Sequence, residues 1–470
     1  MRPLLAALFA CLAACVAAGA QPLRLDPGNQ HYFSFRGHPT VLVTSGEHYG
    51  AVLNRDFNYR LYLDTLHADG LNLTRTFSGS YREVPGDFSI ASNTLAPPPG
   101  RFIAPWRQRD GKFDLEQWDP EYFERLKDFV AQADARGVVV ELVLFCPLYN
   151  DSMWTVSPMN AANNVSGIGS VPKADVLALK DTRLTAIQDA MVRKIVTELN
   201  GFDNLYYEIC NEPYFGGVTL EWQHHIAETI AQTESGLPKK HLIEQNWANG
   251  SKTITNPDPL VSAFNFHYSR PPNSVAMNSS LRLPIGNNET GFDGPSDATY
   301  RIQGWDFLMA GGALYNNLDY SFIVGHEDGA YTPPESTPGG GSPALRHQLG
   351  YLRKFFDEIP FSQMTPIAAA DLQAPETASI RGLEEPGKVY AIYAQHARIV
   401  ANAKPKYQTE TPVASRQFGI HLPAGNWTVI WRDTKTGKDA KKEAIQANPD
   451  GLTILHSPPY SEDIALIVRP

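Results

Sequence analysis

The stretch that decides the fold is Leu205-Tyr206-Tyr207-Glu208-Ile209-Cys210-Asn211-Glu212-Pro213. Six residues suited to a buried strand come first, and an amide, a carboxylate and a proline end the run. A short apolar run that stops at turn residues is typical of a strand buried in a parallel sheet. Similar runs recur between residues 40 and 318, with helix-like stretches between them. This alternation predicts repeated βαβ units.

Eight strands and six helices are predicted within this region. The strands are Thr40–Thr44, Leu71–Phe77, Val138–Phe145, Leu205–Cys210, His241–Gln245, Val261–His267, Leu283–Asn287 and Ala313–Leu318. The helices are Tyr59–Ala68, Pro120–Arg136, Arg183–Leu199, Trp222–Thr233, Thr299–Met309 and Ala344–Asp357. The pattern predicts an α/β fold, a closed (β/α)₈ barrel, which takes roughly 250 residues plus insertions. The helix between the sixth and seventh strands is weak, and residues 30–42 are expected to form a hairpin at the barrel floor.

After residue 360 the pattern changes to short alternating strands broken by Pro and Gly turns. The strands are predicted at Val389–Tyr393, Gln417–His421, Trp427–Arg432, Thr453–His456 and Ile464–Val468. This predicts a small all-β sandwich, so the chain divides into residues 1–20, 21–360 and 361–470. The sandwich either binds glycan through Trp427, Trp431 or Tyr460 or braces the barrel. Trp427 and Trp431 share one face of an alternating strand, which favours a core position and the brace.

The N-terminus has the form of a secretory signal peptide. One arginine, an apolar run over residues 4–18 and Ala18-Gly19-Ala20 predict cleavage after Ala20. Leu12-Ala13-Ala14-Cys15 also has the form of a lipoprotein box, which would place a lipid anchor at Cys15. Either reading predicts a secreted or periplasmic protein. No other apolar run is long enough to span a membrane, which takes about 20 residues.

Composition and charge exclude several partner classes. The chain of 470 residues is 43% hydrophobic and 19% charged, which is typical of a folded protein. A net charge of −10 argues against nucleic acid or an anionic membrane as the main partner. Without the signal peptide only Cys146 and Cys210 remain, too few for a cysteine-based zinc site. Whether these two form a bridge or remain buried thiols is open.

Two glutamates carry the predicted chemistry. Glu212 follows the fourth strand and Glu289 follows the seventh, and functional residues of a barrel lie at the C-terminal ends of its strands. Strands four and seven lie across the barrel mouth, so the two side chains can converge. Two carboxyl groups about 5–5.5 Å apart support retaining glycoside hydrolysis through a covalent intermediate. The rivals of Glu289 are Glu244, Glu327 and Asp328.

Asn211-Glu212-Pro213 after strand four and Glu289 after strand seven resemble clan A glycoside hydrolases, the family 5 type in particular. The resemblance implies that Glu212 is the general acid/base and Glu289 the nucleophile. It also implies that Asn211 binds the sugar 2-hydroxyl and Arg75 keeps the nucleophile ionised.

Strand six ends in His267, which resembles the strand-six histidine of family 5. That family usually has a tyrosine two residues after the histidine, whereas here that position is Ser269 and the tyrosine is Tyr268. Alternation along a strand argues against contact between Tyr268 and Glu289. Strand eight ends at Tyr320 without the usual tryptophan, so the match leaves the exact family open.

Aromatic side chains are the predicted sugar-binding surfaces, because the apolar faces of pyranose rings stack on indole and phenol. Trp154 and Trp247 are the first candidates. Tyr149, Tyr214 and Tyr320 come next. The long loops 151–173 and 331–343 are expected to shape the cleft, and residues 47–49, after strand one, are expected to line the site.

The sequence thus predicts a secreted retaining glycosidase with no cofactor and no metal, and the resemblance to clan A implies that its substrate is a β-linked oligo- or polysaccharide. Two alternatives use the same surface. A catalytically silent barrel could bind carbohydrate as a surface protein, although binding alone needs no such carboxylate pair. A transglycosylase would use the same residues and differ only in the acceptor.

Overall fold

The structure is a computed structural model that describes residues 21–375, 377–400, 407–409, 412–448 and 451–470. The predicted signal peptide, with Cys15, lies outside the described residues. Among those described, no helix is both long and apolar enough to cross a membrane.

Eight parallel strands form one sheet at the centre of the larger domain. They are β1 Leu42–Gly46, β2 Leu73–Phe77, β3 Val139–Phe145, β4 Leu205–Cys210, β5 Ile243–Asn249, β6 Ala263–His267, β7 Ile285–Glu289 and β8 Leu314–Leu318. Strands adjacent in sequence pair in the sheet from β2 to β8, and β8 pairs in turn with β1, where Leu314 lies opposite Leu42. The predicted (β/α)₈ barrel is confirmed.

All the barrel strands except β4 begin one or two residues later than predicted, and β1, β5 and β7 also end later. Thr40 belongs to a small antiparallel sheet of Arg24–Leu25, Phe33–Phe35 and His38–Thr40, so β1 starts at Leu42. Phe33 stacks on Tyr206 near the start of β4, which places this sheet at the barrel floor. β7 extends through Glu289 and β5 through Asn249. Glu289 is therefore the last residue of its strand.

Helices cover the outside of the barrel. They are α1 Tyr59–Ala68, α2 Pro120–Asp134, α3 Asp151–Val156, α4 Thr182–Leu199, α5 Leu220–Ser235, α6 Asn273–Met277, α7 Asp297–Met309 and α8 Pro343–Asp357. In α2, Asp119 caps the first turn by accepting from the Glu121 amide at 3.0 Å, and Pro120 occupies the first position. The weak pattern between the sixth and seventh strands corresponds to the five-residue α6. The stretch from β5 to β6, all of it described, contains no helix.

Five short 3₁₀ turns and one hairpin complete the larger domain and the link to the smaller one. The turns are Asp87–Ser89, Lys173–Asp175, Ser279–Leu281, Phe361–Gln363 and Ala369–Asp371, and the hairpin is Trp106–Arg109 with Lys112–Trp118.

The C-terminal domain consists of antiparallel sheets, as predicted. One sheet contains, in spatial order, Thr365–Pro366, Ser379–Glu385, Val389–Gln395, Asp463–Arg469, Gly425–Arg432 and Asp439–Ala447. A second contains Leu372–Gln373, Gln417–His421 and Leu452–His456, and Ala397–Ile399 pairs with Tyr407–Thr409.

The tryptophans of this domain lie in its core. Trp427 and Trp431 are buried, and Trp431 packs on Phe418 at 5.0 Å between ring centroids. The domain contacts the barrel through α7, where Trp305 stacks on Tyr393 at 5.4 Å. Burial of both indoles agrees with the prediction that this domain braces the barrel. Neither indole ring is exposed for glycan binding.

Candidate active site

A cavity of about 430 Å³ opens at the C-terminal ends of the barrel strands. The lining residues lie at or after the C-terminal ends of β1 to β7, and Glu212 and Glu289 are among them. One carboxylate oxygen of each and a ring nitrogen of His267 all lie within 4.8 Å of one another. The structure therefore brings the two predicted glutamates together in one cavity.

Glu212 lies two residues after the end of β4 and has a φ of +36°. This left-handed region costs a residue other than glycine about 1 kcal/mol or more, and such strain concentrates at functional sites. Tyr149 donates its hydroxyl proton to Oε2 at 2.7 Å, and Tyr214 donates to Oε1 at 3.2 Å. Nδ1 of His267 lies 3.1 Å from Oε1. The carboxyl group is therefore held on both oxygens.

The charge state of Glu212 depends on opposing effects. Burial raises the pKa of its carboxyl, but hydrogen bonds from His267 and Tyr149 outweigh burial and hold the pKa below its ordinary value. Burial raises the pKa of the Tyr149 hydroxyl well above its ordinary value. Tyr149 is therefore a neutral phenol that donates to the carboxylate.

Glu289 is surrounded by donors. Tyr268 donates its hydroxyl proton to Oε1 at 2.6 Å, while Nη1 of Arg75 lies 3.3 Å and the Tyr49 hydroxyl 3.4 Å from Oε2. Nδ1 of His267 lies 3.5 Å from Oε1. These contacts place polar groups against both carboxyl oxygens and fix the orientation of the side chain in the cavity.

The contact between Tyr268 and Glu289 corrects the expectation drawn from strand alternation. β6 ends at His267, and Tyr268 has a φ of +53°. The alternation of a strand does not extend past its last residue, so His267 and Tyr268 both turn toward Glu289. This left-handed residue is what the sequence pattern did not reveal.

Arg75 on β2 contacts side chains of both β4 and β7, the strands that lead to Glu212 and Glu289. Its guanidinium donates to Glu208 at 2.7 and 2.8 Å, to Glu141 at 3.0 Å and to Oδ1 of Asn211 at 2.8 Å. The amide nitrogen of Asn211 in turn donates to the Tyr149 hydroxyl at 2.9 Å. Both polar ends of Asn211 are thus engaged, and its contact with a sugar hydroxyl stays a prediction.

A second group of carboxylates lies in the barrel interior. Glu141, Glu208 and Glu244 bring one oxygen each within 4.8 Å of one another, and all three are buried. Burial raises the pKa of both Glu208 and Glu244 well above the ordinary value. Oxygen donors such as these, or those of the catalytic pair, are the kind that divalent cations take. The prediction that the protein needs no metal is untested and stays a prediction.

The rivals of Glu289 do not reach the cavity. Glu244 lies within β5, and neither of its carboxylate oxygens has a hydrogen-bond partner among the described residues. Glu327 is buried and accepts a hydrogen bond from the Asn58 amide at 3.0 Å. Of the four carboxyl groups considered for the nucleophile, counting Asp328, Glu289 is the one that lines the cavity.

The predicted tryptophans lie elsewhere. Nε1 of Trp154 donates to the carbonyl oxygen of Val171 at 3.2 Å, and Nε1 of Trp247 to that of Thr253 at 3.3 Å. Neither is among the described residues that line the cavity. Tyr320 is buried behind the lining residue His48, with ring centroids 5.8 Å apart.

Phenylalanines that the sequence analysis did not single out lie at the cavity mouth instead. Phe88, Phe215 and Phe292 line the cavity and keep 39%, 44% and 38% of their surface exposed. Phe215 follows Glu212 and Phe292 follows Glu289 by three residues, a position that could have revealed them. Phe88 lies in the loop after β2 and lines the cavity. This loop therefore supplies part of the cavity wall that was expected to come from loops 151–173 and 331–343.

The two cysteines remain free and buried. Cys146 lines the cavity, and its Sγ accepts from the Asn211 amide nitrogen at 3.5 Å. Cys146 and Cys210 are therefore two buried thiols and do not form the disulfide bridge that the sequence left open.

No protein-family model and no curated protein matches the chain. Solved structures do. A putative glycoside hydrolase from Bacteroides vulgatus ATCC 8482 aligns with a TM-score of 0.64 at 12% identity, over 97% of this chain and 84% of that one. A family 5 glycoside hydrolase from the same organism aligns with a TM-score of 0.62 at 14% identity, over 95% and 93%. The endo-1,4-beta-mannanase of Rhizomucor miehei aligns with a TM-score of 0.51 at 11% identity, over 72% and 100%.

These likenesses establish the fold. The barrel with its C-terminal β domain is an architecture also found in solved glycoside hydrolases, including one of family 5, and the predicted resemblance is confirmed at that level.

Proposed function

We propose that the protein is a retaining glycoside hydrolase that cleaves a β-linked oligo- or polysaccharide by double displacement. The single observation that supports it most is the pair Glu212 and Glu289 in one cavity, where one carboxylate oxygen of Glu212 lies within 4.8 Å of one of Glu289. Retaining enzymes place their carboxyl groups about 5–5.5 Å apart, whereas inverting enzymes leave about 6.5–9.5 Å for a water molecule. The short separation therefore favours a direct attack by one carboxylate on the sugar.

In the first step Glu289 attacks the anomeric carbon and the glycosidic C–O bond breaks. Glu212 gives its proton to the departing oxygen, which leaves as a hydroxyl group. Arg75, Tyr49 and Tyr268 orient Glu289 before the attack. The product of this step is a glycosyl ester on Glu289 and an ionised Glu212.

In the second step Glu212 acts as a base. It takes a proton from a water molecule, whose oxygen attacks the anomeric carbon and displaces Glu289 as a carboxylate. Hydrogen bonds from Tyr149 and His267 favour the ionised form of Glu212 that this step needs. A sugar hydroxyl in place of water would give transglycosylation with the same residues.

We also propose export from the cytoplasm through residues 1–20. The composition of that segment supports the proposal, and the N-terminal residue of the protein isolated from its native host tests it. Cleavage after Ala20 predicts a free N-terminal Gln21, whereas a lipoprotein would begin at a lipidated Cys15.

The test of the chemistry uses Glu212→Ala and Glu289→Ala on activated aryl β-glycosides of glucose, mannose, xylose, galactose and fucose, with and without azide. We expect Glu289→Ala to be rescued with formation of the α-glycosyl azide and Glu212→Ala with formation of the β-glycosyl azide. Glu327→Gln is the control, since this buried carboxyl lies outside the cavity lining and should leave activity intact.

Three outcomes would contradict the proposal. Rescue with the opposite azide stereochemistry would exchange the two roles. Loss of activity in Glu327→Gln with an active Glu289→Ala would move the nucleophile to Glu327. Glycan binding without turnover of any aryl glycoside or polysaccharide would favour the silent carbohydrate-binding protein.

A further inference from the structure

Aromatic rings in mutual contact surround the catalytic cavity, and the first arm of this wall runs from β6 to β1. Its members are Tyr268, Phe292, Tyr320, His48 and Tyr49, with successive ring centroids 5.8, 6.4, 5.8 and 5.5 Å apart. These separations are those of rings in van der Waals contact. The rings at both ends of the arm, Tyr268 and Tyr49, donate hydrogen bonds to Glu289, so the arm borders that side of the cavity.

A second arm continues on the opposite side of the cavity. Its members are Phe77, Tyr81, Tyr149, Phe215 and Tyr214, with successive centroids 5.5, 6.5, 5.8 and 5.1 Å apart. Tyr49 and Phe77 join the two arms at 5.1 Å. The second arm passes behind Glu212 and ends at the β4 loop.

A polar contact closes the remaining gap. The Tyr214 hydroxyl shares its single proton between Oδ1 of Asn249, the last residue of β5, and Oε1 of Glu212. Asn249 lies opposite His267 in the sheet. His267 directly precedes Tyr268, where the first arm begins. The wall thus returns to its starting point.

We propose that the site is a pocket with one mouth that accepts the terminal sugar of a chain, so the protein removes single residues from a chain end. This inference rests on the proposed function and adds its mode of action. A chain-internal cut needs a cleft open at both ends, and the closed wall provides one opening. The bond broken joins the terminal sugar to the next, whose oxygen takes the proton of Glu212.

Different exposed rings at the cavity mouth lie on the two sides of the bond that is broken. Phe88 and Phe215 both contact Tyr149, with centroids 5.3 and 5.8 Å apart, and Tyr149 donates to Glu212. The leaving sugar departs on the side of the proton donor, so these two exposed rings form the surface on which it stacks. Phe292 instead contacts Tyr268, the donor to Glu289, and closes the side of the terminal sugar.

The test compares two aryl β-trisaccharides of a hexose that the protein accepts as an aryl monosaccharide. One has a free terminal sugar and the other carries a cyclic acetal across its terminal 4- and 6-hydroxyls. We expect the free compound to lose one sugar at a time, so that free monosaccharide precedes aryl release. We expect kcat/KM for the capped compound to be at least about 100-fold lower, because the wall leaves no room for the cap.

Other results separate this inference from the proposed function. Equal cleavage of the capped and free trisaccharides, with early release of the aryl group, would overturn the pocket and leave the glycosidase standing. Cleavage of a polysaccharide without cleavage of any aryl glycoside would likewise overturn only the pocket, whereas failure to cleave any aryl glycoside or polysaccharide would overturn both.

Two variants with matched exposure test the wall itself. Phe292→Ala opens the side of the terminal sugar and should raise cleavage of the capped compound at least about tenfold. Phe88→Ala, whose ring is as exposed but lies on the leaving-group side, should instead raise KM for the free trisaccharide without admitting the cap. If Phe88→Ala admits the cap, the two sides are reversed. If neither does, the aromatic wall is not what excludes it.

Discussion

The hydroxyl of Tyr268 lies 2.6 Å from Oε1 of Glu289, the last residue of β7, although Tyr268 itself lies past the end of the neighbouring strand β6. The contact exists because Tyr268, just past the end of β6, has a left-handed backbone. Burial raises the pKa of this phenol well above its ordinary value, so it donates its proton throughout the neutral range.

Replacing Tyr268 with Phe should therefore slow the reaction without unfolding the protein. A hydrogen bond to a charged group contributes about 1.5–3 kcal/mol, which predicts a decrease in kcat of about 10- to 150-fold. The measurement is steady-state kinetics on the best aryl β-glycoside. The control is Tyr207→Phe, a buried tyrosine of β4 whose hydroxyl has no hydrogen-bond partner among the described residues. Equal losses in both variants would mean that Tyr268 acts only through packing.

The pH profile should report the bond between His267 and Glu212. Hydrogen bonds hold the pKa of Glu212 below its ordinary value, so its carboxyl already loses its proton as the pH rises through the acidic range. The value of kcat/KM should therefore be highest under acidic conditions. His267→Ala removes the donor at 3.1 Å. The pKa of Glu212 should then rise and the alkaline limb of the profile should move to higher pH.

An aryl glycoside with a poor leaving group makes proton donation limiting in this experiment. Tyr214→Phe, which removes the 3.2 Å bond to the same oxygen, should move the limb in the same direction by a smaller amount. An alkaline limb that stays in place or moves to lower pH in His267→Ala would contradict the assignment of Glu212 as the acid.

Stability should depend on pH through Glu47. Burial raises the pKa of this carboxyl from 4.5 to about 7, despite hydrogen bonds from Thr94 and Ala51. A raised folded-state pKa contributes stability that is complete below pH 4.5 and is lost as the pH rises through 7. The shift corresponds to at most about 3 kcal/mol.

Urea unfolding of the parent at pH 5 and pH 8 should therefore show a higher free energy of unfolding at pH 5. In Glu47→Gln this difference should shrink by up to about 3 kcal/mol, whereas the exposed control Glu116→Gln should keep it. An undiminished difference in Glu47→Gln would mean that other groups dominate the pH dependence.

Much of this architecture is readable from sequence. Apolar runs of strand length separated by amphipathic helices predicted all eight barrel strands, because burial on both faces leaves a continuous apolar signature. Glu212 and Glu289 were found because the ends of barrel strands converge at one face. Trp427 and Trp431 were expected in a core because residues four apart on a strand share a face.

What the sequence did not predict depends on irregular backbone. Loops have no hydrophobic period, so nothing indicated that Phe88 would line the cavity while Trp154 packs in its own loop. The left-handed φ of Tyr268 is set by tertiary contacts past the strand end, which pattern reasoning does not capture. The buried set of Glu141, Glu208 and Glu244 was not recognised because strand residues that face the barrel interior are expected to be apolar.

The most direct test of the central claim is a trapping experiment. A 2-deoxy-2-fluoro β-glycoside of the accepted sugar, with a good leaving group, slows the second step and allows the glycosyl-enzyme to accumulate. Mass spectrometry of the digested protein should show the fluorosugar ester on the peptide that contains Glu289, and Glu289→Ala should show none. An adduct on another carboxylate, or turnover that proceeds without any adduct, would contradict the assignment of Glu289 as the nucleophile.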